Sequence, residues 1–497
     1  MRPGEGASLG EIRMTRLRVA HVALVRPNFR GDVSSLLAAS RSGLKRLAEE
    51  LGFDLVVPSA GAAVHAIRGE PFPGGVVSEV EDAVAIADAL SADPPDLLLL
   101  QHVTFATGDL VAPLVQSAPR LAVWATSEGA TRSGPLPFNA ACGLQMTMSL
   151  LDTPAVQAGG GPVKALYGDV DDPGFRAAFV TTIAALRGVR AVETATILQI
   201  GGTAPGFYAL EERPAALGSA RVVERSLDDL FQAFEAAPEA EIAARVEAGR
   251  EGHDVEVDDA TLERSARIEH ALEALAREVE ATALAVRCWP ELPDRCDAMA
   301  CAAMGSVAGR GTPTACEGDV MGALSMLLLQ GVADGPTILM DLSDLDASRD
   351  AMLLWHCGNA PAAWADPNGP RPRLTTHFNR VGVGPVRDET LAPGATTALR
   401  LVDEGARAVL ASGTLLGSEA EGFDGVRGWW TDARWVDRPL STRSFFQELL
   451  AQRVPHHLAF ARGDVRAAVV EACAWLGIDL VPAPERPFES ALGGGAA

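Results

Sequence analysis

The chain has 497 residues and a formal net charge of −23, and its 48% of apolar residues is typical of a folded, soluble protein. The excess of carboxylates repels phosphate backbones, which excludes nucleic acid as a partner. No apolar run reaches the roughly 20 residues that cross a bilayer, and the N-terminus lacks the apolar core of a signal peptide. We therefore expect no membrane partner, a cytoplasmic location and, from the length, three domains.

The first 160 residues alternate between strand-like and helix-like segments. Strands are predicted at 17–25, 53–57, 96–100 and 121–124, and helices at 34–51 and 78–91. This alternation predicts a parallel sheet with helices on both faces and with functional residues at the carboxyl ends of its strands.

A glycine run at 159–161, followed by Pro162, predicts a linker, and a second α/β domain is predicted from 161 to 310. Its elements are a strand at 194–200, a loop at 201–207, a helix at about 259–280 and a strand at 282–287.

The pattern changes in the last third of the chain, which we assign to a third domain at 311–497. Short strands at 351–355, 397–402 and 408–413 are separated by Gly, Pro and Asp without helices between them. This predicts an antiparallel sheet or barrel. A helix near 443–452, a strand after His457 and a helix near 464–475 complete the domain.

The seven cysteines include no CxxC pair, and their odd number does not suit a disulfide framework, so reduced thiols are predicted. Cys296 and Cys301 are close enough to form one half of a zinc site. Because no second pair of Cys or His stands nearby in the sequence, a zinc site is disfavoured.

Glu317 and Asp341 are the principal candidates for chemistry. The apolar segment between them reads as one helix followed by one strand, which can return both carboxylates to the same strand-end crevice. Together with the later pair His456 and His457, they form a set that suits Mn²⁺ or Mg²⁺ with positions open to substrate oxygens. Such a site could polarise the carbonyl of a polyhydroxy aldehyde while a carboxylate moves a proton, which is aldose–ketose isomerisation through an enediol.

Structural roles remain open for the same residues. A Glu between a strand and a helix often serves only as a charge at the helix N-terminus, and Asp341 could cap the turn that follows it. A single His is more often a hydrogen-bonded core residue than a metal ligand.

Three segments carry a resemblance to a known family: 315–324 (ACEGDVMGAL), 355–361 (WHCGNAP) and 455–465 (PHHLAFARGDV). They resemble the C-terminal motifs of the L-fucose isomerase and L-arabinose isomerase superfamily, in its L-fucose isomerase-like branch. The resemblance covers about 288–478 and extends over the first 280 residues as a domain pattern. It implies a Mn²⁺-dependent ketol isomerase, with Mg²⁺ or Co²⁺ as alternatives. It also implies two doubly wound α/β domains, a C-terminal domain containing an antiparallel β-barrel, and a homotrimer or homohexamer.

By the same resemblance, Glu317, Asp341 and His457 correspond to the metal ligands, and the two acids also form the proton-transfer pair. His456 competes with His457 for the ligand position. His356 lies near the place of a further His ligand in arabinose isomerases, and it could bind metal, bind substrate or orient a neighbour.

Other substrate contacts are assigned on local chemistry. Asn359 could donate its amide to a sugar hydroxyl or merely stabilise a turn. Trp430, with its neighbour Trp429, could form a wall against the sugar or pack in the core. His377 is either a cleft residue or a solvated loop His, and an anionic substituent could be met by arginines at 371, 373 and 380.

The predicted function is thus a metal-dependent aldose–ketose isomerase acting on a monosaccharide. The alternatives are an isomerase of a modified hexose, deoxy or sulfonated, and a non-catalytic sugar-binding protein on the same scaffold.

Overall fold

The computed structural model describes residues 16–58, 74–129, 133–154, 156, 161–380, 382–417 and 423–482, and the backbone of 66–67 and 70–71. Contacts along the chain divide it into two compact units, with the boundary between Leu186 and Arg187. Gly159 and Gly160 of the predicted linker lie outside the described residues. The three-domain division stays a prediction.

The first unit contains a parallel sheet with strand order β2-β1-β6-β7-β8, and β5 pairs with β1. Its strands are β1 (Leu17–Leu24), β2 (Phe53–Val56), β3 (Ala66–Ile67), β4 (Glu70–Pro71), β5 (Val76–Val77), β6 (Leu97–His102), β7 (Leu121–Ala125) and β8 (Val163–Tyr167). Its helices are α1 (Val33–Leu51), α2 (Val80–Ala92), α3 (Gly108–Val111) and α4 (Ala140–Leu151), and α5 (Pro173–Glu193) follows β8. The predicted parallel sheet is confirmed.

Local sequence explains these elements. Every residue of β6 is buried, as expected for the run of four leucines in a strand that is covered on both faces. The side chain of Asp32 accepts a hydrogen bond from the N–H of Ser35 and so begins α1, while Gly52 ends it at φ 69°. Strand β8, which we predicted to open a second domain, pairs with β7 in the sheet of the first unit.

The second unit contains a four-stranded parallel sheet with order β10-β9-β12-β13. The strands from β9 on are β9 (Thr196–Ile200), β10 (Arg221–Arg225), β11 (Asp254–Val255), β12 (Ala283–Val286) and β13 (Thr314–Ala315). The helices are α6 (Leu227–Glu235), α7 (Glu239–Arg250), α8 (Asp259–Glu278), α9 (Glu291–Cys296), α10 (Cys301–Gly309) and α11 (Val320–Ala333), with a short 3₁₀ helix at Tyr208–Leu210.

A larger mixed sheet fills the remainder of the second unit. Its strands after β11 are β14 (Ile338–Asp346), β15 (Ala351–His356), β16 (Arg373–Thr375), β17 (Val386–Thr390), β18 (Gly394–Val402), β19 (Arg407–Leu415), β20 (Val426–Trp435), β21 (Arg438–Pro439), β22 (Leu458–Arg462) and β23 (Asp479–Leu480). The accompanying helices are α12 (Thr442–Ala451) and α13 (Arg466–Leu476), with 3₁₀ helices at Ala362–Trp364 and Asp403–Gly405.

Six strands of the mixed sheet pair antiparallel in the order β15-β14-β22-β18-β19-β20, and β20 also pairs with β15. Outside this set, β17 pairs in parallel with β20, and β23 pairs in parallel with β19. The predicted mixed α/β class is therefore confirmed, and the C-terminal sheet contains parallel as well as antiparallel pairs.

Helix α11 connects the two sheets of the second unit. Its sequence is apolar on almost every face, and it packs against β12 and β13 on one side and against β18 and β22 on the other. A helix without a polar face is stable only when it is enclosed in this way. The packing fixes the start of α11 beside the carboxyl end of β13.

None of the helices in the described ranges has both the length and the apolar character needed to span a membrane.

Candidate active site

Three loops are joined at the carboxyl ends of β9, β12 and β13. The carbonyl of Glu317 accepts a hydrogen bond from the N–H of Ala204 at 2.9 Å, and the N–H of Gly318 donates to the carbonyl of Val286 at 3.0 Å. The side chain of Gln199 donates to the carbonyl of Gly318 at 2.9 Å. The backbone that carries Glu317 is therefore held by residues of β9 and β12.

The backbone at this point has an unusual conformation. Glu317 and Gly318 both have positive φ, at 59° and 74°. A non-glycine residue in the left-handed region costs roughly 1–2 kcal/mol and is retained where its surroundings hold it.

Replacing Gly318 by Ala is expected to damage both the fold and the site, because an added Cβ would lie 2.1 Å from the carbonyl oxygen of Gly202. Gly477 is a matched control, since its φ of 70° is similar and its Cβ would meet nothing within 4 Å. Urea unfolding should show Gly318→Ala to be less stable than Gly477→Ala by about 1–3 kcal/mol, the usual cost of overpacking. Equal losses in the two variants would contradict the proposed close approach.

Asp319 occupies the N-cap position of α11, where its side chain accepts a hydrogen bond from the N–H of Gly322 at 2.8 Å. The N-terminal cap is thus Asp319, so that role does not fall to Glu317. Arg400 donates two hydrogen bonds to the Asp319 carboxylate, at 2.5 and 3.1 Å, and both side chains are fully buried. The third partner of this carboxylate is Nδ1 of His457, at 2.9 Å.

The bond to Asp319 determines how His457 is used. Because Nδ1 donates to a carboxylate, Nε2 carries the ring's lone pair, and Sγ of Cys316 lies 3.8 Å from it. Nε2 of His457 lies 3.8 Å from Oε2 of Glu317 and 3.7 Å from Oδ1 of Asp341. The structure therefore brings Glu317, Asp341 and His457 together around one imidazole nitrogen.

His456 takes a different position beside the same carboxylate. Its Nε2 donates to Oε2 of Glu317 at 3.1 Å, and the side chain is 42% exposed, whereas that of His457 is 1% exposed. Its ring packs against Phe207, with centroids 5.8 Å apart. His457, buried and oriented by Asp319, is the better placed of the two candidates for a ligand.

The donor set fits a divalent cation. Oδ1 of Asp341 is buried and has no hydrogen-bond partner among the described residues, as expected for an oxygen that coordinates a cation. Octahedral bonds of about 2.1 Å separate adjacent ligand atoms by roughly 3.0 Å and opposite ones by roughly 4.2 Å. The distances from His457 to the two carboxylates fall within this range. Glu317, His456 and His457 also present atoms that all lie within 4.8 Å of one another.

Charges in the site shift two pKa values. Burial alone would raise the pKa of Asp319, but the charge of Arg400 and the hydrogen bond from His457 outweigh it and hold that pKa well below its ordinary value. Burial lowers the pKa of His456, but the bond to Glu317 and the charge of Asp341 outweigh it and raise the pKa. The site thus stabilises the ionised form of Asp319 and the protonated form of His456.

A cavity of about 580 Å³ opens next to Glu317 and Asp341. The remaining residues that line it share an aromatic, sulfur-containing or polar side chain: Cys288, Trp289, Met299, Cys301, Cys316, Trp355, His356, Cys357, His377, Phe378, Asn379 and Arg380. Two lining tryptophans pack edge-to-face with a phenylalanine. Trp355 packs against Phe378, and Trp289 packs against Phe207, with the rings perpendicular in both pairs. The volume and the mixture of apolar and polar groups suit a small polyhydroxy ligand.

His356 lies in this wall. Its Nδ1 accepts a hydrogen bond from the N–H of Cys357 at 2.8 Å, and its Nε2 lies 3.1 Å from Sγ of Cys316. Its ring is nearly parallel to that of His457 at 5.8 Å. Both ring nitrogens are therefore engaged by cysteine groups, which favours the orienting role among the three that the sequence left open.

Two predicted substrate residues do not line the cavity. Trp430 is fully buried between Phe445 and Phe460, and its Nε1 donates to Thr396 at 2.9 Å, because its side chain faces the inside of the mixed sheet. The structure thus places Trp430 in the core. Asn359 is buried, and its contact with a sugar stays a prediction.

The three arginines considered for an anion differ in position. Arg371 pairs with Asp254 and Arg373 with Asp388, outside the cavity. Arg380 lines the cavity and donates to Asp294 at 2.9 Å.

Sequence reasoning did not assign roles to Asp319 and Arg400. Asp319 lies within one of the quoted motifs, immediately before an apolar helix, which is a recognisable N-cap signal. Arg400 interrupts the apolar strand β18, and a charge in a buried strand indicates a buried partner. Neither signal identifies His457 as the group that shares the pair.

No family model matches the chain. The chain is similar to proteins named sulfoquinovose isomerase. The protein of Priestia megaterium is 26% identical over 417 residues, covering 82% of this chain and 90% of its own length. That of Alkalicoccus urumqiensis is 28% identical over 409 residues, covering 80% of this chain and 88% of its own length.

The chain is an enzyme of the aldose–ketose isomerase class. Its substrate is a sugar. The L-fucose isomerase-like branch that the motifs indicated stays a prediction.

Proposed function

We propose that the chain interconverts the aldose and ketose forms of a sulfonated hexose, with a divalent cation held by Glu317, Asp341 and His457. The observation that carries the site assignment is the approach of both carboxylates to Nε2 of His457, whose other ring nitrogen is held by Asp319. Mn²⁺ is the preferred candidate, with Mg²⁺ and Co²⁺ as alternatives, because two carboxylates and one imidazole favour such cations over a thiolate-selective metal.

Two observations support a sulfonated substrate. The relatives that match most of the chain are named for sulfoquinovose. Arg380 supplies a cationic group in the cavity wall, and a guanidinium is well suited to bind the oxygens of an anionic substituent. Its bond to Asp294 leaves further N–H donors on the same guanidinium.

The residues divide the chemistry as follows. One of the two carboxylates, Glu317 or Asp341, removes the proton from the carbon next to the carbonyl, and a carboxylate returns a proton to the neighbouring carbon. His456 donates a hydrogen bond to Oε2 of Glu317 and so orients this carboxylate. Asp319 and Arg400 hold His457 in one tautomer and orientation. A bound cation would polarise the carbonyl and acidify the adjacent C–H.

We also propose that the six-stranded antiparallel set is the barrel expected from the resemblance. The pairing of β20 with both β15 and β19 supports it, because the strand pairings return to their starting strand. A homotrimer or homohexamer and a cytoplasmic location remain part of the proposal.

The proposed function is tested by incubating the Mn²⁺-loaded protein with a panel of sugars in deuterated water. Sulfoquinovose should be converted to its ketose with deuterium incorporated at the carbon that receives the proton. Neutral aldohexoses should react more slowly. Conversion of neutral sugars with no reaction of the sulfonated hexose would contradict the proposed substrate class. Proton exchange without net conversion would still show that the protein removes the proton next to the carbonyl.

Arg380→Gln identifies the anion contact. A charge-assisted hydrogen bond contributes about 1.5–3 kcal/mol, so kcat/KM for the sulfonated hexose should fall about 10- to 150-fold. Activity on a neutral hexose should change little. Arg371→Gln is the matched control, because Arg371 pairs with Asp254 outside the cavity. Equal losses on charged and neutral sugars would assign Arg380 a structural role.

Removal of divalent cations should silence the enzyme. Dialysis against a chelator is expected to abolish turnover, and addition of Mn²⁺ should restore it, because the carbonyl would otherwise lack an electrophilic partner. Circular dichroism before and after dialysis controls for unfolding. Unchanged turnover in a sample verified as metal-free by elemental analysis would remove the cation from the proposal.

A further inference from the structure

A second group of potential metal ligands lies in the cavity wall. Cys301 begins α10, Cys357 follows β15, and His377 follows β16. Their sulfur and ring-nitrogen atoms all lie within 4.8 Å of one another, and all three residues line the cavity. Elements far apart in the sequence therefore bring two thiols and one imidazole to the same point.

The spacing of the sulfurs is close to that of a metal site. Sγ of Cys301 and Sγ of Cys357 are 3.4 Å apart. Tetrahedral Zn²⁺ with bonds of about 2.3 Å separates two sulfur ligands by roughly 3.8 Å. The two thiols would have to move apart by only a few tenths of an ångström, which a side-chain rotation supplies.

The chemistry of this group differs from that of the carboxylate site. Thiolates select soft or borderline cations such as Zn²⁺ and Cd²⁺, whereas carboxylates suit Mn²⁺ and Mg²⁺. His356 stands next to both groups, because its Nδ1 is 3.3 Å from Sγ of Cys357 and its ring is 5.8 Å from that of His457. The two groups share no ligand.

We propose that Cys301, Cys357 and His377 form a binding site for a thiophilic divalent cation of the Zn²⁺ class. The site is separate from the carboxylate site and open to the substrate cavity for a fourth ligand. The sequence disfavoured a zinc site at Cys296 and Cys301 because no second pair of ligands is nearby in the chain. In the folded structure the partners of Cys301 are Cys357 and His377, on the segments that follow β15 and β16. A cation bound here would narrow the cavity in which the sugar must lie.

Cd²⁺ is the appropriate probe, because thiolate ligation produces an ultraviolet sulfur-to-metal charge-transfer band that a site of carboxylates and imidazole cannot produce. The full chain, reduced and with excess Mn²⁺ present, is titrated with Cd²⁺. One equivalent should saturate the band. Cys301→Ser and Cys357→Ser should each abolish it, whereas Cys142→Ser should leave it unchanged, because Cys142 is an exposed thiol outside the group.

His377→Asn tests the third ligand without removing a thiol. The apparent Kd for Cd²⁺ should rise by more than about tenfold, since even loss of a group that only supports a ligand costs about 10- to 100-fold. Absence of a band in the wild-type protein would overturn the proposal. So would a band that survives either cysteine substitution, or an unchanged Kd in His377→Asn. No turnover is measured, so this outcome is independent of the proposed isomerase function.

Discussion

Replacing Glu317 by Gln is expected to reduce kcat by about 10²- to 10⁴-fold, the usual contribution of a general base, while leaving the fold intact. The substitution keeps the size of the side chain and removes its charge. The backbone bonds that hold this residue are made by its carbonyl and by Gly318, so they remain in the variant. Steady-state kinetics with the sulfonated hexose and thermal unfolding together measure the effect.

Glu280→Gln is the matched control. Glu280 also has positive φ, at 53°, but it is exposed. It lies between α8 and the amino end of β12, whereas Glu317 follows the carboxyl end of β13. Its replacement should leave kcat unchanged. Wild-type activity in Glu317→Gln would remove the proposed base, and loss of deuterium exchange together with turnover would support it.

Replacing Asp319 by Asn is expected to give the largest loss of stability. The substitution leaves the Arg400 guanidinium buried without its counter-charge, and breaking a buried ion pair by removing one partner costs about 3–5 kcal/mol. His457 also loses the carboxylate that orients it, which should weaken Mn²⁺ binding about 10- to 100-fold. Urea unfolding of the metal-free protein and calorimetric titration with Mn²⁺ measure the two effects separately.

Asp437→Asn provides the control for Asp319→Asn. The side chain of Asp437 is 92% exposed and pairs with Arg466 at the surface, so its loss should change the unfolding free energy by no more than about 0.5 kcal/mol. If Asp319→Asn unfolds like the wild type, the buried pair does not stabilise the fold. If stability falls while Mn²⁺ affinity is unchanged, Asp319 does not act through His457.

The acid dependence of stability should differ between Asp319→Asn and the wild type. Because the folded pKa of Asp319 is lowered, its stabilising effect is complete above the ordinary value of 3.8 and is lost as the pH falls below it. The Asn variant lacks this contribution at every pH. The two unfolding free energies should therefore converge as the pH falls below 3.8 and differ fully at neutral pH.

Local patterns in the sequence predict most individual elements. The sequence predicts α1, β6 and α8 nearly at their observed bounds. A helix buried on one face has apolar residues at helical spacing, and a strand buried on both faces is a continuous apolar run. The pairing of β8 with β7 was not predicted, because strand pairing is not visible in the local sequence. Nothing in the sequence of β8 states whether its partner is β7 or a later strand.

The candidate site was likewise predicted only in part from the sequence. Glu317, Asp341 and His457 were selected from motifs and chemistry, and the structure brings an oxygen of each acid within 3.8 Å of Nε2 of His457. The role of Asp319 depends on Arg400 and His457, both far away in the chain, so it requires the folded structure. The burial of Trp430 in the core could not be predicted, because two adjacent tryptophans in a strand do not show which of them faces the core.

The enclosed helix α11 makes chain length a functional constraint. Helix α11 begins shortly after Glu317 and is followed by β14, the strand that carries Asp341. The length of this helix therefore sets the distance between the backbone positions of the two acids. Inserting a single residue would rotate everything beyond it by about 100° and advance it by about 1.5 Å. Tolerance to insertion should therefore be lowest here, in a helix that contributes no side chain to the lining of the cavity.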